Sequence, residues 1–293
     1  LPGGCSIGSR PVDIHLKGFE ALGVSIRIEH GFVELRASQL IGTPMRLSFP
    51  SVGATENIMM AACLAEGNTI IENAAREPEI DDLAYFLNCS GADISGIGTD
   101  TLHIKGVSSL KGVTDYHVIP DRIEIGTLLI AAAITQGCVT VEGVCKDHIH
   151  PLCTVLTSMG AELTYTDQSI TCRVDKPLHA VDITTDPHPG FPTDMQAQMM
   201  ALLSVSNGTS VIHEQIFENR FMHAHELIRM GATITLDGQH ARITGGPLSG
   251  ADVKMTDLRA GAAMILAGLV AEGHTKISGL HHLKRGYYNL EKQ

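Results

Sequence analysis

Two residues in this 293-residue chain stand out as candidates for chemistry. The first is Cys5, in Leu1-Pro2-Gly3-Gly4-Cys5-Ser6-Ile7-Gly8-Ser9-Arg10. A proline and several glycines in so short a span predict a loop rather than a core strand. Arg10 is near enough to lower a thiol pKa, and a thiol on a loop can act as nucleophile or general acid. It can equally be an ordinary loop cysteine. The second is Asp194, after Phe191-Pro192-Thr193. Thr193 followed by Gln196 reads as a capping box. That would put Asp194 in a first helical turn, where the helix dipole favours an ionised carboxylate. Thr256-Asp257 with Arg259 repeats the arrangement, so at least one copy should be structural. Arg10, Arg76, Arg122, Arg220, Arg259 and Arg285 fall near the junctions of a repeat. Guanidiniums converging on a cleft would hold phosphate or carboxylate bidentately. The pairs His148/His150, His223/His225 and His281/His282 lack partners at zinc-site spacing. There is no P-loop, dinucleotide fingerprint or Gly-x-Ser-x-Gly elbow. Neither a metal nor an organic cofactor is expected.

What positions these residues is an internal repeat. A helix tail ending in Gly and a small residue recurs at Gly23-Val24, Gly91-Ala92, Gly160-Ala161 and Gly231-Ala232. A second landmark, helix then Gly then strand, recurs at Gly67, Gly137, Gly208 and Gly273. Both keep a period of about 70 residues. Each unit predicts an Ala/Met/Leu-rich helix (56–66, 126–136, 194–207, 257–272), closed by Gly at its C′ position. A β-branched strand follows, as in Val139-Thr140-Val141. Next comes an amphipathic helix, such as the one marked by His223, Leu227 and Met230. Two strands around a tight turn end the unit, as at Asp237-Gly238. The fold class is therefore α/β, built from repeated βαβαββ units in two domains. Ile119-Pro120 interrupts the pattern, which divides the chain into 1–119 and 120–293.

Composition narrows the function. The chain is 44% hydrophobic and 18% charged, enough apolar material for sizeable cores and against disorder. No apolar run reaches the ~20 residues of a membrane helix. A formal charge of −11 with no Trp argues against nucleic acid. An anionic small molecule would have to be held by particular arginines. Seven cysteines without a C-x-x-C pair fit a reduced, cytoplasmic protein, with all but Cys5 expected to be packing residues. No targeting segment is evident. The start at Leu1 without Met and the stop at Gln293 read as a piece of a longer protein.

The stretch from Pro2 to His15 (Pro-Gly-Gly-Cys-x-Ile-Gly-x-Arg-Pro-Val-Asp-x-His) resembles the catalytic loop of the UDP-N-acetylglucosamine 1-carboxyvinyltransferase (MurA) family of enolpyruvyl transferases. Phe49-Pro50-Ser51-Val52-Gly53-Ala54-Thr55, Arg76-Glu77-Pro78-Glu79-Ile80, Pro120-Asp121-Arg122-Ile123-Glu124, Phe191 to Gln196, Phe217-Glu218-Asn219-Arg220-Phe221 and Thr256 to Ala260 are similar to it in the family's order. The resemblance implies an inside-out α/β barrel in two domains. It also implies transfer of enolpyruvate from phosphoenolpyruvate to the 3′-hydroxyl of UDP-N-acetylglucosamine through a tetrahedral ketal, the first committed step of peptidoglycan synthesis. Cys5 would be the loop thiol that donates a proton, can form an adduct with phosphoenolpyruvate and is the fosfomycin target. Asp194 would contact the sugar hydroxyl as the favoured base. Arg10 and Arg285 would hold the enolpyruvyl donor. Arg10, Pro11, Val12, Asp13, Ile14, Phe49, Pro50, Ser51, Val52, Asp194 and Ile216 would contact the nucleotide sugar.

The family pattern extends N-terminal to this chain, with a Lys-Asn pair and a further substrate arginine, and beyond Arg285. On that reading 1–119 is the remainder of the catalytic-loop domain and 120–293 holds three units, the last truncated. The piece alone is expected to be inactive. Two alternatives stand beside the main reading. One is transfer to shikimate 3-phosphate, whose enzyme lacks the Pro-Gly-Gly-Cys loop. The other is a non-catalytic paralogue that binds nucleotide sugar.

Overall fold

The computed structural model describes residues 11–288 and Leu290. The chain forms two compact units, with the boundary between Ile119 and Pro120. Along the first unit run α1 (Asp13–Ala21), β1 (Ser25–Glu29), β2 (Phe32–Arg36), β3 (Pro44–Arg46), α2 (Val52–Ala62), β4 (Asn68–Glu72), α3 (Pro78–Cys89), β5 (Asp93–Ser95) and β6 (Thr101–Lys105). β1 and β2 form an antiparallel hairpin around His30-Gly31, both residues at positive φ, the conformation that suits the twist of a two-residue hairpin loop. The other strands form one sheet in the order β3-β4-β6-β5, with β3 parallel to β4 and the other pairs antiparallel. α2 starts where Ser51 Oγ accepts from Ala54 N at 3.3 Å. α1 approaches α2 closely: a Cβ at Gly18 would lie 2.1 Å from Ile58, and one at Gly53 would lie 3.1 Å from His15. His15 opposing Gly53 and Gly18 opposing Ile58 set the two helices side by side with their N-termini at the same end. Ile58, Met59, Ile71, Ile80 and Leu102 form the core beneath.

The second unit contains α4 (Arg122–Ile134), β7 (Cys138–Glu142), α5 (Lys146–Met159), β8 (Glu162–Tyr165), β9 (Ser169–Arg173), β10 (Ile183–Thr184), α6 (Gln196–Leu203), β11 (Thr209–His213), α7 (Met222–Arg229), β12 (Thr233–Asp237), β13 (His240–Thr244), β14 (Asp252–Lys254), α8 (Leu258–Val270) and β15 (Lys276–Ser278). The order β10-β11-β13-β12 repeats that of the first unit's sheet, again with only the first pair parallel. β7-β9-β8 and the parallel pair β14-β15 follow parts of the same plan. α4, α6 and α8 pack on one another, and every residue of α6 is buried. The helix has no solvent face, and even its polar Gln196 and Gln198 are fully buried. Strands such as β13 alternate buried and exposed residues, one face on the helices and the other in water. The helices therefore lie inside and the sheets outside.

Several expectations need correction. All four Ala-rich helices stop earlier than their apolar periodicity suggests; α2 and α4 also start earlier, whereas α6 and α8 start slightly later, at Gln196 and Leu258. α4 begins at Arg122 because Asp121 accepts from Ile123 N and Glu124 N. α2 ends at Ala62, and Gly67 takes its left-handed turn (φ 92°) in the link to β4. At the second landmark Gln136 (φ 53°), not Gly137, is left-handed. Cys89 and Cys138 are exposed rather than packed, because one ends α3 and the other opens β7 on its outer face.

Candidate active site

In the second unit, three segments distant in sequence meet around one carboxylate. Phe191 is buried and bridges Thr185, closing the loop 186–190. The chain then makes a 3-10 turn, Thr193–Met195, before α6. Met195 N donates to Pro192 O, and the cap at Gln196 donates to Thr193 O. These backbone bonds satisfy amides that would otherwise need a side-chain cap. The capping box expected from Thr193 and Gln196 is thus not formed: Thr193 donates instead to Glu214, and Gln196 Nε2 donates to Arg220 O. Asp194 does lie in this first turn, but its carboxylate is free to turn elsewhere.

It turns to two arginines. Arg220, on the loop between β11 and α7, donates from Nη2 to Asp194 Oδ1 at 2.6 Å. Arg259, in the first turn of α8, donates from Nη2 and Nε to Oδ2 at 2.8 and 3.3 Å. Arg220 is 8% exposed and also lies 5.0 Å over the Phe217 ring. Burial alone would raise the Asp194 pKa, but the two guanidiniums hold it well below the usual carboxylate range. Solvent still reaches this carboxylate, whose side chain is 40% exposed. Arg259 Nη1 is buried without a hydrogen-bond partner.

Beneath the pair lies Glu214, fully buried just after β11. Its Oε1 accepts from Thr185 Oγ1 (2.9 Å), Ile216 N (2.9 Å) and Phe217 N (3.2 Å). Its Oε2 accepts from Thr193 Oγ1 at 2.8 Å. Thr193 Oγ1 in turn accepts from Arg220 Nη1 at 2.7 Å. Sequence reading passed over Glu214, since a lone glutamate after a strand has no motif. Ile216, an expected sugar contact, is half-buried and held through its amide. The expected donor-binding Arg285 is exposed in the 3-10 turn Leu283–Arg285, which is anchored by buried Leu283.

In the first unit the remaining candidates gather at one end. Pro11 and Val12 precede α1, while Asp13 and Ile14 open it. Phe49, Pro50 and Ser51 precede α2, and Val52 opens it. The side-by-side helices bring these two segments together at paired N-termini, a setting that suits anionic groups. Burial lowers the pKa of His15, against the opposing pull of Asp13. Cys5 and Arg10 lie outside the described residues. Among the described residues, no group of three or more His, Cys, Asp or Glu is placed to hold a metal ion, and no helix is long and apolar enough to cross a membrane.

Repeated βαβαββ units with internal helices, and a helix-start carboxylate clamped by two arginines, describe an enolpyruvyl transferase-like protein. The family model described as EPSP synthase (3-phosphoshikimate 1-carboxyvinyltransferase) matches residues 1–293, and the chain belongs to that family. It is 58% identical to UDP-N-acetylglucosamine 1-carboxyvinyltransferase 1 of Caldanaerobacter subterraneus subsp. tengcongensis, over 100% of this chain and 71% of that protein. It is 56% identical to UDP-N-acetylglucosamine 1-carboxyvinyltransferase 2 of Clostridium tetani, over 100% of this chain and 70% of that protein. Among solved structures, the enolpyruvyl transferase NikO from Streptomyces tendae superposes with a TM-score of 0.88 at 28% identity, covering 97% of this chain and 71% of that one. EPSP synthase from Acinetobacter baumannii shares the fold, with a TM-score of 0.70 at 20% identity, covering 97% of this chain and 70% of that one.

Proposed function

We propose that this chain is part of an enzyme that transfers enolpyruvate from phosphoenolpyruvate to the 3′-hydroxyl of UDP-N-acetylglucosamine, releasing phosphate, as the first committed step of peptidoglycan synthesis. The observation that carries the reading is identity above one half, along the whole chain, to proteins named for that reaction. Transfer to shikimate 3-phosphate is disfavoured by the Pro2-Gly3-Gly4-Cys5 stretch, which the shikimate enzyme lacks. In this reading 1–119 belongs to the catalytic-loop domain and 120–293 to the second domain, and the enzyme works in the cytoplasm.

The sugar oxygen bonds to C2 of phosphoenolpyruvate as its hydroxyl proton is lost and C3 gains a proton. The resulting ketal then loses a C3 proton and expels phosphate. Cys5 is assigned the C3 proton and Arg10 and Arg285 the anionic donor, by resemblance. Pro11 to Ile14 and Phe49 to Val52 are assigned the nucleotide, their paired helix N-termini favouring phosphate oxygens. Asp194 is assigned the 3′-hydroxyl. With both oxygens paired to guanidiniums it is a strong orienting acceptor and a weak base, so a full proton transfer requires one arginine to withdraw. Arg220 is anchored through Thr193, whereas Arg259 keeps a buried, unspent Nη1; Arg259 is the one to move.

The test is phosphate release by the full-length protein with phosphoenolpyruvate and either UDP-N-acetylglucosamine or shikimate 3-phosphate, with Cys5→Ala alongside. Release with the nucleotide sugar alone, abolished in Cys5→Ala, is expected. Release with shikimate 3-phosphate, or tight sugar binding without release, would replace this reading with one of the alternatives.

A further inference from the structure

We infer that Glu214 is the positioning residue that sets the Asp194–Arg220 pair for reaction, an inference that rests on the transfer proposed above. Its carboxylate ties together three pieces of backbone. Thr185 enters the loop 186–190, Thr193 leaves it next to Asp194, and the amides of Ile216 and Phe217 shape the turn that leads to Arg220.

Hydrogen accounting shows why the residue is a carboxylate. Thr193 Oγ1 accepts from Arg220, so its single hydrogen goes to Glu214. Thr185 Oγ1 accepts from Gln215 N at 3.0 Å, so its hydrogen goes to Glu214 as well. With the two amides, all four partners are donors and none accepts. A glutamine would fit the space but not the pattern. With its NH2 toward Ile216 and Phe217, donors would face donors. With its NH2 toward Thr193, that hydroxyl would receive hydrogens from two sides and have no acceptor for its own. Only an acceptor at both oxygens fixes the Thr193 hydroxyl so that its lone pair meets Arg220 Nη1. That bond sets the guanidinium plane and leaves Nη2 on Asp194. A fully buried carboxylate with four donors is costly to assemble and stiff once made, which is what an orienting element requires.

The test compares two threonines on the same carboxylate in the full-length protein. Thr193→Val cuts the branch to Arg220, and Thr185→Val cuts a bond of the same kind away from it. Steady-state phosphate release is measured with each, with Glu214→Gln and with the Glu214→Gln/Thr193→Val double variant. Positioning predicts that Thr193→Val and Glu214→Gln lower kcat by about 100-fold, with little change in KM for the sugar nucleotide. The double variant should be no worse than either single one. Thr185→Val should lose at least about tenfold less than Thr193→Val. Equal losses for the two threonines would reduce Glu214 to a structural staple, and an unimpaired Thr193→Val would remove the role altogether. If Glu214→Gln does not fold, the threonine pair decides alone. If the unmodified protein releases no phosphate, the functional reading fails. The inference then stands or falls on the 13C titration of Asp194, which should move up in Thr193→Val as Arg220 loosens; an unchanged titration would overturn it.

Discussion

Asp194 and Asp257 occupy comparable places: each follows a threonine at the start of an internal helix, and sequence alone makes them a pair. The structure gives them opposite employment. Asp257 takes an extended backbone and accepts from Arg259 N at 2.9 Å and Ala260 N at 3.0 Å, capping α8. Asp121 does the same for α4. Asp194 accepts from no backbone amide of its helix, because the 3-10 turn before α6 supplies carbonyls for that purpose. Its oxygens go to arginines from two other segments. A carboxylate consumed by its own helix is structural, and one released from that duty is available for a substrate.

The largest effect should come from substituting both positions with asparagine. Asparagine is a good N-cap, so Asp257→Asn should leave melting temperature and phosphate release nearly unchanged. Asp194→Asn removes the charge that holds Arg220 and Arg259 and the acceptor assigned to the sugar hydroxyl. Its kcat should fall about 10³-fold. Comparable behaviour at the two positions would erase the distinction. The depressed pKa of Asp194 adds a pH expectation. Its contribution to stability is present above the unfolded carboxyl value of ~3.9 and is lost only as pH falls toward the lower folded value. Asp194 should therefore contribute no acid limb to kcat between pH 5 and 7 while the arginine pair is intact.

Next in size is a histidine between the two regions. His223 on α7 is buried and within electrostatic reach of both Asp257 and Arg220. Burial pushes its pKa down to about 4, against the pull of Asp257. The unfolded chain binds this proton near pH 6.5 and the folded one does not, so stability falls as pH drops from 6.5 toward 4. The loss should be on the order of 2 kcal/mol by pH 5. Chemical denaturation at pH 7 and 5 measures it, and His223→Gln should flatten the difference. A pH-independent midpoint in the unmodified protein would mean that water reaches the ring.

The repeat was legible because glycine and apolar periodicity are local. Gly23, Gly91, Gly160 and Gly231 all adopt positive φ, between 88 and 107°, a conformation that costs little only without a side chain. Helix limits were less legible because caps decide them: Asp121 and Ser51 start α4 and α2 before the apolar pattern begins. At the site, Asp194 and the two arginines were visible as residue types, but their convergence was not. Which guanidinium meets which carboxylate depends on contacts 26 and 65 residues apart. Glu214 was the least legible of all, since its meaning lies in four donors drawn from separate segments.

The smallest effect is the sharpest check on the structural side of the comparison. Asp257→Ala leaves Arg259 N and Ala260 N without their acceptor at the start of α8. The loss of a cap of this kind costs about 1 kcal/mol, readable as a lower denaturation midpoint with unchanged slope. Asp257→Ser should recover most of it, because a hydroxyl can accept the same bond. Arg259 complicates the outcome usefully: its amide is capped by Asp257 while its guanidinium holds Asp194. If the cap serves only the helix, stability drops in Asp257→Ala while kcat stays within about twofold. A larger fall in kcat, restored by serine, would mean that the cap also sets the angle at which Arg259 reaches Asp194. Asp257 would then be a positioning residue, and the division between structural and functional aspartates would lie elsewhere, at Asp121.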